Sequence, residues 1–155
     1  MKDIALVARS LAGNKFKDGY NCAEAILRAF NEILNNPLSP EGLKTASGFG
    51  GGLGHAGCMC GALTASVMVL GLLKGRLDSG QARDQIYSLA HDFHERFAKE
   101  FGATCCRTLN PYEFDSPEHL HNCLKLTGRT AKLLMEYLLE KELVEPDSLV
   151  RVDSE

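Results

Sequence analysis

The chain has 155 residues and a mass of 16.9 kDa, with 17 Lys and Arg against 20 Asp and Glu, a formal net charge of −3. That length suits one domain, whose folding buries roughly 70% of the surface its extended chain exposes. Hydrophobic residues at 45% and charged residues at 24% exclude a disordered chain, and the mildly acidic balance without a basic run excludes a phosphate-neutralising nucleic-acid surface.

The first nine residues hold an apolar run that is too short for a signal peptide and is broken by Arg9. The longest apolar stretch, residues 60–73, falls short of the roughly 20 residues that a membrane helix needs. The expectation is therefore a cytoplasmic chain with no membrane or nucleic-acid partner. Its six cysteines would stay reduced in that compartment unless they serve redox or metal chemistry.

Apolar residues recur at helical spacing and period-2 runs are absent, which predicts an all-α bundle of about five helices in one domain over 1–144. A first helix is expected over 2–16. A second follows from Cys22, with Asn21 as N-cap and Glu24 completing a capping box, and its inward face reads Cys22, Ile26, Ala29, Phe30 and Ile33. Ser39-Pro40 opens a short helix that leads into the glycine-rich loop 48–54, where Gly51 and Gly52 supply positive φ and close backbone approach. The loop feeds a buried central helix from about Cys60, where the small residues Gly61, Ala62 and Ala65 let neighbours pack closely. A fourth helix is read over 79–101, with a stripe of Ile86, Leu89, Ala90, Phe93, Phe97 and Phe101, and ends at Gly102. Thr104 is then placed as the cap of a short turn bearing Cys105 and Cys106. The last long helix opens at Ser116-Pro117 and carries Leu120, Cys123, Leu124, Thr127, Ala131, Leu134 and Leu138 inward. Residues 145–155 read as a loose acidic tail.

Cys22, Cys60 and Cys106 each fall in the first turn of a helix, where unpaired N–H groups and the helix dipole favour a thiolate. Such positions lower a cysteine pKa from about 8.5 to between roughly 3.5 and 7.5, and the thiolate is both the nucleophile and the metal ligand. The bland alternative is that these are small buried hydrophobes. His55, in the glycine-rich segment, is a candidate for acidifying a thiol or ligating metal, and Arg107 for adding positive charge beside Cys106. His91 and His94 read as solvated, and the single Glu118-x-x-His121 is explained by capping and exposure. The loop lacks the preceding strand of a dinucleotide fingerprint and the Gly-Lys-Ser/Thr ending of a P-loop, so neither nucleotide reading holds.

The segments Asn21-Cys22-Ala23-Glu24-Ala25, Gly48 to Gly54, Cys60-Gly61-Ala62-Leu63-Thr64-Ala65 and Phe101 to Arg107 resemble the C_GCAxxG_C_C family, named for its cysteine signature and labelled redox-active. The resemblance runs from about Tyr20 to Cys123. It places the signature cysteines at Cys22, Cys60, Cys106 and Cys123 and departs from the pattern at Ala65, where glycine is usual. Cys58 and Cys105 stand outside the signature.

What the resemblance implies is reversible thiol–disulfide or electron-transfer chemistry at those four thiolates, an oxidoreductase being one form of it, with an unidentified redox partner or small molecule. Cys22 with Cys60, or Cys106 with Cys123, are natural pairings among three possible ones. Cys58 and Cys60 could close a small ring, whereas adjacent Cys105 and Cys106 diverge. A zinc ion or an iron–sulfur cluster on the same four sulfurs is the alternative, with no cofactor at all equally compatible. A structural helical domain without redox chemistry is the third reading.

Overall fold

Asp3 starts the first helix, its carboxylate accepting from the Ala5 N–H at 2.9 Å, and α1 runs Ile4–Lys17. The computed structural model describes residues 3–149, in which helices account for all regular secondary structure and no strand occurs. The long helices are α1, α2 (Cys22–Ile33), α5 (Gly61–Lys74), α6 (Asp84–Phe101) and α8 (Pro117–Glu140). Three short ones, α3 (Pro40–Lys44), α4 (Gly50–Leu53) and α7 (Cys106–Leu109), shape the connections.

The small residues Ala5, Ala8 and Ala12 lie buried on α1, and α1 packs mainly on α8. Gly13 faces Leu124 there, and a Cβ on Gly128 would sit 3.3 Å from Arg9 Cγ, so the two helices approach through small residues. The capping box at Asn21 and Glu24 is formed, and Cys22, Ile26, Ala29, Phe30 and Ile33 are buried together as the spacing predicts. Helix α5 packs against α2, α6 and α8 and is the central element. Its Ser66 hydroxyl is buried without penalty because it donates to the Ala62 carbonyl at 2.7 Å. Phe93 and Phe97 of α6 complete the core with Leu134, Met135, Tyr137 and Leu138 of α8.

Four local expectations are corrected. Helix α6 starts at Asp84 rather than 79, because Asp78 accepts from the Gly80 N–H at 2.8 Å and so ties residues 78–80 into a side-chain turn that competes with helix. The N-cap of α7 is Cys105, one residue after Thr104. Leu120 is 43% exposed, at the outer edge of the α8 stripe rather than within it. In the described part of the acidic segment from 145, Pro146–Ser148 form a 3-10 turn and Leu149, like Val144, is buried against the core, so this part packs rather than hangs loose. The remainder of that segment, 150–155, lies outside the described residues. No helix among the described residues is long and apolar enough to cross a membrane.

Candidate thiol site

Cys22 is the first residue of α2, so its side chain projects from a helix start whose amides have no partner within the helix. Its sulfur lies against the opening of α5. A Cβ on Gly61 would stand 2.6 Å from Cys22 Sγ and 2.7 Å from the Phe49 carbonyl, so glycine is the residue that leaves room for the sulfur. Gly51 and Gly52 adopt φ of 65° and 66°, which folds the loop back and turns the Gly51 amide onto the same sulfur.

The partner of Cys22 comes from the far end of the chain. Cys123, half-buried on α8, donates its thiol hydrogen to Cys22 Sγ. This bond is the largest influence on Cys22, and with the amides of Gly51, Ala23 and Cys22 itself it outweighs burial and brings the thiol down from 9.0 to about 7. The same bond holds the proton on Cys123, whose acidity is pushed strongly down by it, by burial and by the charge on Cys22. The two sulfurs therefore share one proton near neutrality, and the first ionisation belongs to the pair.

The other first-turn cysteines do not follow the helix-terminus expectation. Burial pushes Cys60 up to about 12, with the neighbouring Cys22 charge adding to it, although the amides of Ala62 and Leu63 pull the other way. Cys106 is raised as well, by burial and then by Cys22. Desolvation outweighs the amides at these two positions, and one negative sulfur already occupies the neighbourhood. All four signature cysteines are free thiols, and their electrostatic coupling to Cys22 places them in one neighbourhood.

The disulfide is formed elsewhere. Cys58 and Cys105, 47 residues apart, are bonded, with their Cα atoms 4.2 Å apart. Neither the small ring between Cys58 and Cys60 nor a bond between Cys22 and Cys60 or between Cys106 and Cys123 is present. The pairing follows from backbone geometry: the Cys60 N–H donates to the Thr104 carbonyl at 2.8 Å and the Arg107 N–H to the Gly57 carbonyl at 3.0 Å. Those two bonds lay segment 57–60 beside segment 104–107.

A cleft of about 820 Å³ opens over Cys22 and Cys123, between the end of α1, the glycine-rich turn and the start of α8. His55 lines it, stacked on Phe114 with 4.3 Å between ring centroids and 3.7 Å from the Asp115 carboxylate. His55 is not among the groups that set the acidity of Cys22, which comes from Cys123 and backbone amides, and Arg107 is not among those that set Cys106, which is governed by burial and Cys22. His119 also lines the cleft, 4% exposed, and accepts from the Asp115 N–H through Nδ1 at 3.4 Å. Burial keeps it below its usual pKa, hence neutral at pH 7, with Nε2 unpaired. The Glu118-x-x-His121 spacing draws attention away from His119, whose place one helical turn before Cys123 is the signal in the sequence that marks it. Among the described residues, no three His, Cys, Asp or Glu side chains are disposed to hold one metal ion.

The fold and the site define a helical protein that carries a hydrogen-bonded thiol pair beneath a cleft and a separate disulfide nearby. The family described as "Putative redox-active protein (C_GCAxxG_C_C)" matches residues 20–137, and the chain belongs to it. An uncharacterized protein of Archaeoglobus fulgidus is 25% identical over 131 residues, covering 79% of this chain and 87% of that relative. No solved structure matches it.

Proposed function

We propose that this protein carries out reversible thiol–disulfide chemistry, with Cys22 as the attacking thiolate and Cys123 as the resolving thiol. The observation that carries this reading is that Cys22 and Cys123, from two different helices, line one cleft together, with Cys22 brought to about 7 by Cys123 and backbone amides. At pH 7 such a group is about half thiolate, compared with a few per cent for an ordinary cysteine. A thiol whose pKa lies near ambient pH combines thiolate fraction with nucleophilicity, the optimum for exchange.

The cycle balances as follows. Cys22 thiolate attacks a substrate disulfide, forming a mixed disulfide and expelling one substrate thiolate. The Cys123 proton passes to a departing sulfur, and Cys123 then attacks Cys22 Sγ and expels the second thiolate. The substrate gains two electrons, and the Cys22 and Cys123 thiols become a disulfide. An external dithiol returns the pair to its starting state. Cys60 and Cys106, held protonated by burial, do not compete as first nucleophiles.

Oxidation with one equivalent of glutathione disulfide, followed by peptide mass mapping, tests this. The expected product is a Cys22–Cys123 bond, absent in Cys22→Ser. Four free thiols after oxidation overturn the reading. Stoichiometric zinc or iron in the purified protein, released by Cys22→Ser, would replace it with metal binding on the same sulfurs.

A further inference from the structure

We propose that the Cys58–Cys105 disulfide is a second redox centre, the entry point for electrons from an external dithiol protein, in exchange with the Cys22–Cys123 pair through Cys60. This rests on the thiol–disulfide reading above and extends it from a substrate site to an internal electron path.

Three observations converge on it. Cys58 and Cys105 are half-buried and lie outside the lining of the cleft, so a dithiol protein can approach them without entering the cleft that holds Cys22 and Cys123. Cys60 stands two residues from Cys58, and its N–H is bonded to Thr104, the neighbour of Cys105. It is therefore fixed beside both bonded cysteines. Cys22 Sγ reaches the residue that follows Cys60, since a Cβ on Gly61 would stand 2.6 Å from that sulfur, and Cys60 feels the Cys22 charge, so Cys60 stands between the outer disulfide and the cleft pair. Cys106 neighbours Cys105 in sequence, and adjacent side chains diverge.

The path is a series of exchanges that needs no further oxidant. The dithiol protein attacks Cys58–Cys105 and leaves as its own disulfide, releasing two thiols. With the cleft pair oxidised, the Cys22 charge that helps keep Cys60 protonated is gone, and Cys60 attacks Cys22 as its proton passes to the departing Cys123. Cys105 then attacks Cys60 and frees Cys22, and Cys58 attacks Cys105 and frees Cys60. Each step forms one S–S bond and breaks one, and the attacking thiol's proton ends on the departing sulfur. The net result is a reduced cleft pair and a restored outer disulfide.

The test starts from protein oxidised at both pairs, adds one equivalent of reduced thioredoxin, quenches with iodoacetamide at intervals and maps the labelled cysteines. Label is expected first on Cys58 and Cys105, then on Cys22 and Cys123. In Cys60→Ala the outer label should appear at an unchanged rate while the inner label slows at least tenfold. If that variant does not fold, the double variant Cys58→Ser/Cys105→Ser should show the same slowing of inner reduction. An outer bond that never takes label, or inner labelling at the wild-type rate in these variants, overturns the inference. When Cys22–Cys123 forms on oxidation but receives no electrons from the outer pair, this inference alone falls; when it never forms, both readings fall.

Discussion

At Cys22 two opposed effects act on one sulfur. Burial costs a thiolate solvation, while a donated thiol hydrogen and three amide contributions return more than burial removes. Replacing Cys123 with Ala removes the largest of these, so the Cys22 pKa should rise. The rate of iodoacetamide labelling at pH 7 should fall several-fold, read as a shifted midpoint in a pH–rate profile. Stability carries the same signature. Cys22 is depressed from 9.0 to about 7, so the unfolded chain binds more protons between those pH values and stability rises with pH across them. Cys60 is raised to about 12, so its contribution is complete below 9 and declines as pH climbs from there. Urea denaturation of wild type against Cys22→Ser should show an excess rise of up to about 1.4 kcal/mol per pH unit between pH 7 and 9, confined to wild type. Gly61→Ala would drive a Cβ into Cys22 Sγ and the Phe49 carbonyl. A loss of about 1–3 kcal/mol is expected from the overpacking, together with a displaced Cys22 labelling profile. The residue types at these positions were legible beforehand. The sign of each thiol's shift was not, because helix-start amides are a local feature and desolvation is not.

Among the elements, the start of α2 carries the most information per residue. Asn21 accepts from the Glu24 N–H at 2.9 Å, receives the Glu24 carboxylate on its own N–H at 3.1 Å, and donates to the Ser47 carbonyl at 3.1 Å. One side chain thus caps the start of α2 and anchors the segment before the glycine-rich turn. Asn21→Ala should cost about 0.5–2 kcal/mol in denaturant unfolding, and it should broaden Cys22 reactivity because the sulfur sits one residue away. The capping box was readable from the Asn21–Glu24 spacing, whereas the bond to Ser47 joins residues 26 apart and leaves no periodic trace. Helix α6 shows the converse: its apolar stripe set its type correctly, but the Asp78 turn moved its start. Short polar side chains bonding to nearby backbone shift helix ends without altering the pattern within the helix.

Across the whole molecule the bundle brings together four stretches that hold no local relation. Positions near 22, 60, 106 and 123 meet because α5 is surrounded by α2, α6 and α8, and because small residues let α1 lie close on α8. Phe97, fully buried on α6 and packed on Phe101 at 4.6 Å between centroids, tests how far the site depends on that core. Phe97→Ala should cost about 3–5 kcal/mol in thermal or denaturant unfolding. The Cys22–Cys123 bond should still form on oxidation below the lowered melting point, since Phe97 is no part of the cleft lining. Hydrophobic period, caps and breakers determined the helical class and the inward face of α2 and α8, because those depend on neighbours a few residues apart, and the resemblance in short motifs picked out the signature cysteines. Which cysteine bonds to which, which thiol keeps its proton, and the cleft lined by His55, Asp115 and His119 depended on where the helices pack. Burial and sulfur-to-sulfur approach are properties of the assembled bundle, and only its three-dimensional arrangement decided them.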